Sequence, residues 1–177
     1  MTTQTTLDQE VLMARLVHLT HRLASESKVE QCEAYREMLE IASDGHSEAM
    51  YAVARCLAKG AGVERDQESA HFWLEQASVA VNPSRIALFS LAQLHLSREI
   101  RSSNPEYGIE LLGRASSMDY SAALTELLRL CADSDYDTKA RKVAFRALAD
   151  QALIGTAGAE RFTAFCESYF SPDLLDS

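Results

Sequence analysis

The sequence predicts an all-α fold, an α-solenoid of about four helix-turn-helix repeats of 36 to 38 residues with about nine helices. Three observations predict it. Alanine and glycine recur at a fixed beat, and the apolar residues around them fall at helical, not alternating, spacing. The 177 residues also include only seven Gly and three Pro against 47% hydrophobic residues, which leaves too few turn formers for a β-sandwich or barrel.

The beat is read from small residues. Ala49, Ala87 and Ala123 mark first helices, and Ala70, Gly108 and Ala144 mark second helices, each pair 21 residues apart. The return step is 15 residues from Ala34 to Ala49, from Gly108 to Ala123 and from Ala144 to Ala159, and 17 from Ala70 to Ala87. The two extra residues fall at Val81-Asn82-Pro83, a turn signal where a longer loop costs little. Small residues belong at such anchors because paired helices approach to roughly 8–10 Å only where a side chain is nearly absent. Around the anchors, Met38, Leu74, Leu112 and Leu148 stand at one repeat position, and Val53, Leu91 and Leu127 at another, forming the expected core rows.

Caps and breakers set the boundaries. Gly60 and Gly62 are expected to close one helix and Asp66 to cap the next. Asn104 takes the Asp66 position one repeat later, with Pro105 as first helical residue, and Gly45 and Gly155 are expected to end second helices. Helices are placed at 7–25, 30–44, 47–59, 66–79, 84–98, 104–117, 120–133, 137–153 and 157–170. The first carries one apolar stripe, Leu12, Leu16, Leu19 and Leu23, but keeps the anchor spacing poorly, as a terminal cap would. The chain is therefore expected to be a single repeat domain over 1–177, with a capping helix at 7–29, repeats over 30–160 and a C-terminal helix and tail at 157–177.

Composition narrows the function. A net charge of -9 opposes a phosphate-tracking surface, so no nucleic-acid partner is expected. No apolar run has signal-peptide or membrane-spanning length, so neither membrane insertion nor export is expected, and a cytoplasmic location is. Cys32, Cys56, Cys131 and Cys166 are widely spaced and read as reduced, packed thiols; Cys56 and Cys166 sit where other repeats place Leu94 and Leu130.

Candidate chemistry has a structural reading in each case. His18 and His21, three apart on one helix, lack a third ligand nearby. His71 and His95 occupy repeat positions that are apolar elsewhere and read as hydrogen-bonded, partly buried imidazoles. Ser25-Glu-Ser-Lys28 fits the four-residue pattern of serine acyl-enzymes but has no companion motif. No catalytic residue, cofactor site or metal site is expected, and the chain is not expected to be an enzyme.

One segment resembles a known repeat. From Ser47 to Ser78 the residues Ala49, Tyr51 and Leu57, the Gly60-x-Gly62-Val63 turn, Asp66, Ala70, Trp73 and Ala77 match the pattern of the Sel-one-like repeat, a relative of the tetratricopeptide repeat. The neighbouring repeats resemble it in part; 85–117 lacks the glycine turn and has Arg98-Glu-Ile-Arg101 instead. The resemblance implies a right-handed α-solenoid acting as an adaptor or scaffold, with first helices lining the inner curve and Trp73 packed between helices.

On that footing the expected function is a protein-protein interaction adaptor holding a partner protein or peptide on the concave face. The alternative is a dedicated chaperone or immunity protein for one bacterial effector, and a hydrolytic or metal enzyme is disfavoured. The candidate binding positions are those first-helix positions that the core rows leave free: Arg55, Gln93 and Arg129, and Lys59, Ser97 and Asp133. Self-association through the solenoid ends is compatible with the sequence.

Overall fold

The computed structural model of the protein describes residues 2–97, 103–132, 142 and 144–149. These comprise seven helices, α1 (Thr2–Leu23), α2 (Lys28–Ser43), α3 (Ser47–Lys59), α4 (Gln67–Val79), α5 (Arg85–Ser97), α6 (Pro105–Ser117) and α7 (Ser121–Ala132), and a further helical stretch at 144–149. No strand occurs among the described residues. The expected ninth helix at 157–170, Gly155, Ala159 and Cys166 lie outside them, as does most of 137–153. The chain divides into two compact units, Met1–Ala87 and Leu88–Ser177, with the boundary inside α5.

In the first unit, α1 pairs with α2 and α3 with α4, and α2 packs on α3. The core gathers Leu16, Leu19, Ala34, Met38, Ile41, Ala42, Ala49, Val53, Leu57 and Ala70. The anchors Ala34, Ala49 and Ala70 are thus buried, at no more than 3% exposure. Trp73 packs half-buried against this core and meets Phe72 edge-on, with ring centroids 5.9 Å apart.

Two helix starts differ from expectation by more than one residue. α1 begins at Thr2, not 7, because nothing from Thr2 to Thr6 breaks a helix. It ends at Leu23, and α2 starts at Lys28, not 30, because the Ser27 hydroxyl accepts the Glu30 amide N–H and caps it. Charge holds α1 to α2 as well. The Arg22 guanidinium donates to Glu37 at 2.6 Å and Glu33 at 3.2 Å and lies 4.0 Å from Glu30, while Arg15 reaches Glu37 at 3.6 Å. The hydrogen bond from Arg22 holds the Glu37 carboxyl below its ordinary range, against some desolvation.

The turn between α3 and α4 follows from its glycines. Gly60 ends α3 in the left-handed region (φ 74°), and its amide N–H donates to the Cys56 carbonyl at 2.8 Å. Gly62 also has φ +74°, and a Cβ there would fall on the Gln31 carbonyl of α2. The turn rests on the preceding hairpin with no space for a side chain. Asp66 then caps α4, its carboxylate accepting the Glu68 and Ser69 amides at 3.0 and 3.1 Å, while its own N–H donates to the Leu57 carbonyl at 3.0 Å.

In the second unit Leu88, Leu91, Ala92, Ile109, Leu111, Leu112, Ala115, Ala123, Leu127, Leu130, Ala144 and Leu148 are buried almost without exposure. Asn104 caps α6 by accepting the Glu106 and Tyr107 amides, and Pro105 follows it. The Asn104 N–H donates to His95 Nδ1 at 3.1 Å. His95 stands one repeat after Leu57, so an imidazole here takes the amide that a backbone carbonyl takes in the glycine-turn repeat. Tyr107 packs edge-on to the same ring at 5.1 Å.

Gly108 marks the closest approach of α5 and α6. A Cβ on it would sit 3.0 Å from the Ala92 carbonyl oxygen and 3.1 Å from Leu96 Cγ, whereas one on Gly113 would make ordinary contact with Ala147 at 3.4 Å.

Two predictions follow from this packing. Ala gains about 1 kcal/mol of helix propensity over Gly at either site, but overpacking costs roughly 1–3 kcal/mol where the neighbour is backbone. Gly113→Ala should therefore raise the melting temperature and Gly108→Ala lower it, as read by thermal denaturation. Arg22→Met should lower Tm by roughly 1–4 °C at neutral pH. Because the folded-state pKa of Glu37 is depressed, its contribution is present above the unfolded value of 4.5 and is lost as pH falls through the folded value. The gap between wild type and variant should close in acid, and a gap constant from pH 7 to pH 3 would remove Glu37 from the account.

Candidate protein-binding groove

The first unit contains a cavity of about 610 Å³ between α1 and α3. One wall is the α1 stripe Met13, Val17 and Thr20, at helical spacing i, i+4 and i+7, with His21 beside it and Ala24 just past the helix end. The opposite wall is the α3 stripe Glu48, Tyr51, Ala52, Arg55, Cys56 and Lys59, and Leu16, Leu23 and Met38 lie between them. Ala61 from the α3–α4 turn and Ile86 from the start of α5 complete the lining.

α1 therefore has three faces. Leu12, Leu16, Leu19 and Leu23 turn to the core, Arg15 and Arg22 meet the α2 glutamates, and the Met13 stripe is left to the groove. Met13 and Val17 are 51% and 65% exposed, a large apolar surface for two neighbouring residues on a folded helix. On α3 the Arg55 guanidinium lies 5.8 Å from the Tyr51 ring centroid, a cation–π distance. Cys56 is buried beneath them at 4% exposure, and burial pushes its thiol up to about 11, against the pull of Arg55 and Lys59. At neutral pH it is a packed thiol and not a nucleophile.

The six candidate positions fare differently. Arg55 and Lys59 both line the groove, exposed and one helical turn apart. Gln93 and Ser97 are exposed on α5, where the Ser97 hydroxyl donates to the Leu94 carbonyl at 3.2 Å. Arg129 is exposed on α7 and held by a two-pronged ion pair with Glu126, at 2.7 and 3.1 Å. Asp133 lies outside the described residues. Sequence reasoning missed Met13, Val17 and Thr20, although an apolar face on α1 wider than one packing stripe was the signal for them.

The remaining polar groups have structural partners. The Ser25 hydroxyl donates to the Glu30 carboxylate at 2.6 Å and accepts the Ser27 N–H at 3.2 Å, which ties the α1–α2 turn. His71 is half-buried, 3.7 Å from Glu75 on the same helix, and His95 is buried with the partner described above. His18 and His21 are exposed, and among the described residues no three His, Cys, Asp or Glu side chains are grouped to hold a metal ion. Nor is any described helix long and apolar enough to cross a membrane.

Comparison with known proteins bears on the repeats. The family model of the Sel1 repeat matches residues 47–78 and 85–120, which are the α3–α4 and α5–α6 hairpins with their turns. The match is narrower than the 30–160 expected from the residue pattern. No curated protein matches the sequence. Among solved structures, a Sel1 repeat protein from Oxalobacter formigenes superposes with a TM-score of 0.59 at 18% identity, over 80% of this chain and 58% of its own. A protective antigen present in uropathogenic Escherichia coli strains, displaying an SLR fold, superposes with a TM-score of 0.56 at 16% identity, over 80% of this chain and 30% of its own. The chain thus spans about a third to three-fifths of the length of these structures. With small-residue anchors buried, a glycine turn resting on the preceding helix and two matched units in succession, the chain carries two consecutive Sel1 repeats in an α-solenoid fold of the SLR kind.

Proposed function

We propose that the protein is a non-catalytic adaptor that holds a partner protein or peptide in the groove between α1 and α3. The observation that carries this reading is the apolar α1 wall, Met13 and Val17, exposed opposite a wall that bears Arg55 and Lys59. Sel1 repeats are typically protein-interaction scaffolds, which supports the same reading. Both walls are helices fixed by the core, so a partner meets preformed side-chain rows and little ordering cost falls on the receptor. Of the six expected positions the proposal retains Arg55 and Lys59, because these two line the groove.

A photo-crosslinking side chain placed at Thr20, inside the groove, should capture partner protein in cells of the native host. The same group at Val81, which is fully exposed in the α4–α5 connection, should not. Adding Met13→Asp and Val17→Asp should abolish the Thr20 product without unfolding the protein, since substitutions at exposed sites usually stay within about 0.5 kcal/mol. Identical products from Thr20 and Val81, or a Thr20 product that survives both aspartates, would remove the groove from the proposal.

A further inference from the structure

We infer that the occupant of the α1–α3 groove is an acidic amphipathic peptide segment, its bulky apolar side chains on the α1 wall and its carboxylates toward Arg55 and Lys59. The inference rests on the groove being the interaction surface and adds the chemistry of what fills it.

Charge is the first ground. The chain carries 26 acidic against 17 basic side chains, yet the groove reverses the sign: Arg55 and Lys59 line it against the single carboxylate of Glu48. Arg55 and Lys59 are exposed and form no ion pair with a described residue, whereas Arg15, Arg22 and Arg129 are each paired with glutamate. Two like charges four residues apart on a helix repel when nothing lies between them. The C-terminal end of α3 offsets Lys59, in the last turn, but not Arg55, one turn earlier. An anionic ligand would relieve the repulsion, and no carboxylate of the described residues pairs with either cation.

Apolar geometry is the second. Met13 and Val17 on one wall, and Tyr51 and Arg55 on the other, stand four residues apart, the spacing at which an amphipathic helix presents its own anchors. Two cations in a short groove are too few for a nucleic-acid backbone, whose binders use about 6–10 phosphate contacts. Thr20, His21 and Glu48 interrupt the apolar lining with hydrogen-bonding groups, which suit a peptide better than an acyl chain.

The test uses the full chain and two short fluorescein-labelled synthetic peptides with the same leucine face, one with glutamate and one with lysine on the polar face, read by fluorescence anisotropy. Wild type should bind the glutamate peptide at least about tenfold more tightly than the lysine peptide. Arg55→Glu with Lys59→Glu should reverse that preference, and Val17→Asp should weaken both peptides. Equal binding of the two peptides by wild type, or a preference untouched by the double variant, overturns the acidic occupant, and the groove reading survives if Val17→Asp still weakens them. Failure of the glutamate peptide together with binding of dodecanoate overturns it in favour of a lipid. If neither peptide binds, the inference falls, and the Thr20 cross-link decides separately whether the groove is an interaction surface.

Discussion

Helices in this fold pack where a side chain is nearly missing, and the rest of the structure depends on that condition. Ala34, Ala49, Ala70 and Ala87 in the first unit, and Gly108, Ala123 and Ala144 in the second, are buried at the small-residue positions. At Gly108 the backbone of α6 meets the Ala92 carbonyl so closely that even a methyl group would crowd it. Once the small residues fix the separation, the leucine, valine and methionine rows on either side are brought to contact distance and excluded from water.

Much of this was legible in the chain because the signals are local and recur. Asp66, Asn104, Pro105 and Gly60 each act within a few residues of themselves, and the repeat doubles the observation. The groove was not legible in the same way. It needs α1 beside α3, and those helices are separated in the chain by the whole of α2; reading α1 as a cap treated its apolar excess as an end effect. Its basic residues are taken up by α2 instead: Arg15 and Arg22, seven apart on α1, both reach Glu37. For Arg129 the partner was legible as well: Glu126 lies three residues before it on the same helix and pairs with its guanidinium.

Function follows from what the packing leaves over. α1 spends its leucines on the core and its arginines on α2, and its third face has nothing in the first unit to cover it. α3 gives its alanines and valine to the core and presents Arg55 and Lys59 outward. On the proposed reading, a cationic row beside an apolar one would discriminate among partners by charge, since cationic segments would be turned away before contact.

The glycine turn gives the architecture a direction. Because Gly62 lies on the Gln31 carbonyl, the loop of one hairpin uses the second helix of its predecessor as a floor, while the short link from Leu23 to Lys28 closes on its own serines and asks for none. A chain emerging from the ribosome N-terminus first makes this floor before the loop that will sit on it. The α3–α4 hairpin, deprived of its predecessor, would thereby lose the seat of its turn along with a neighbour.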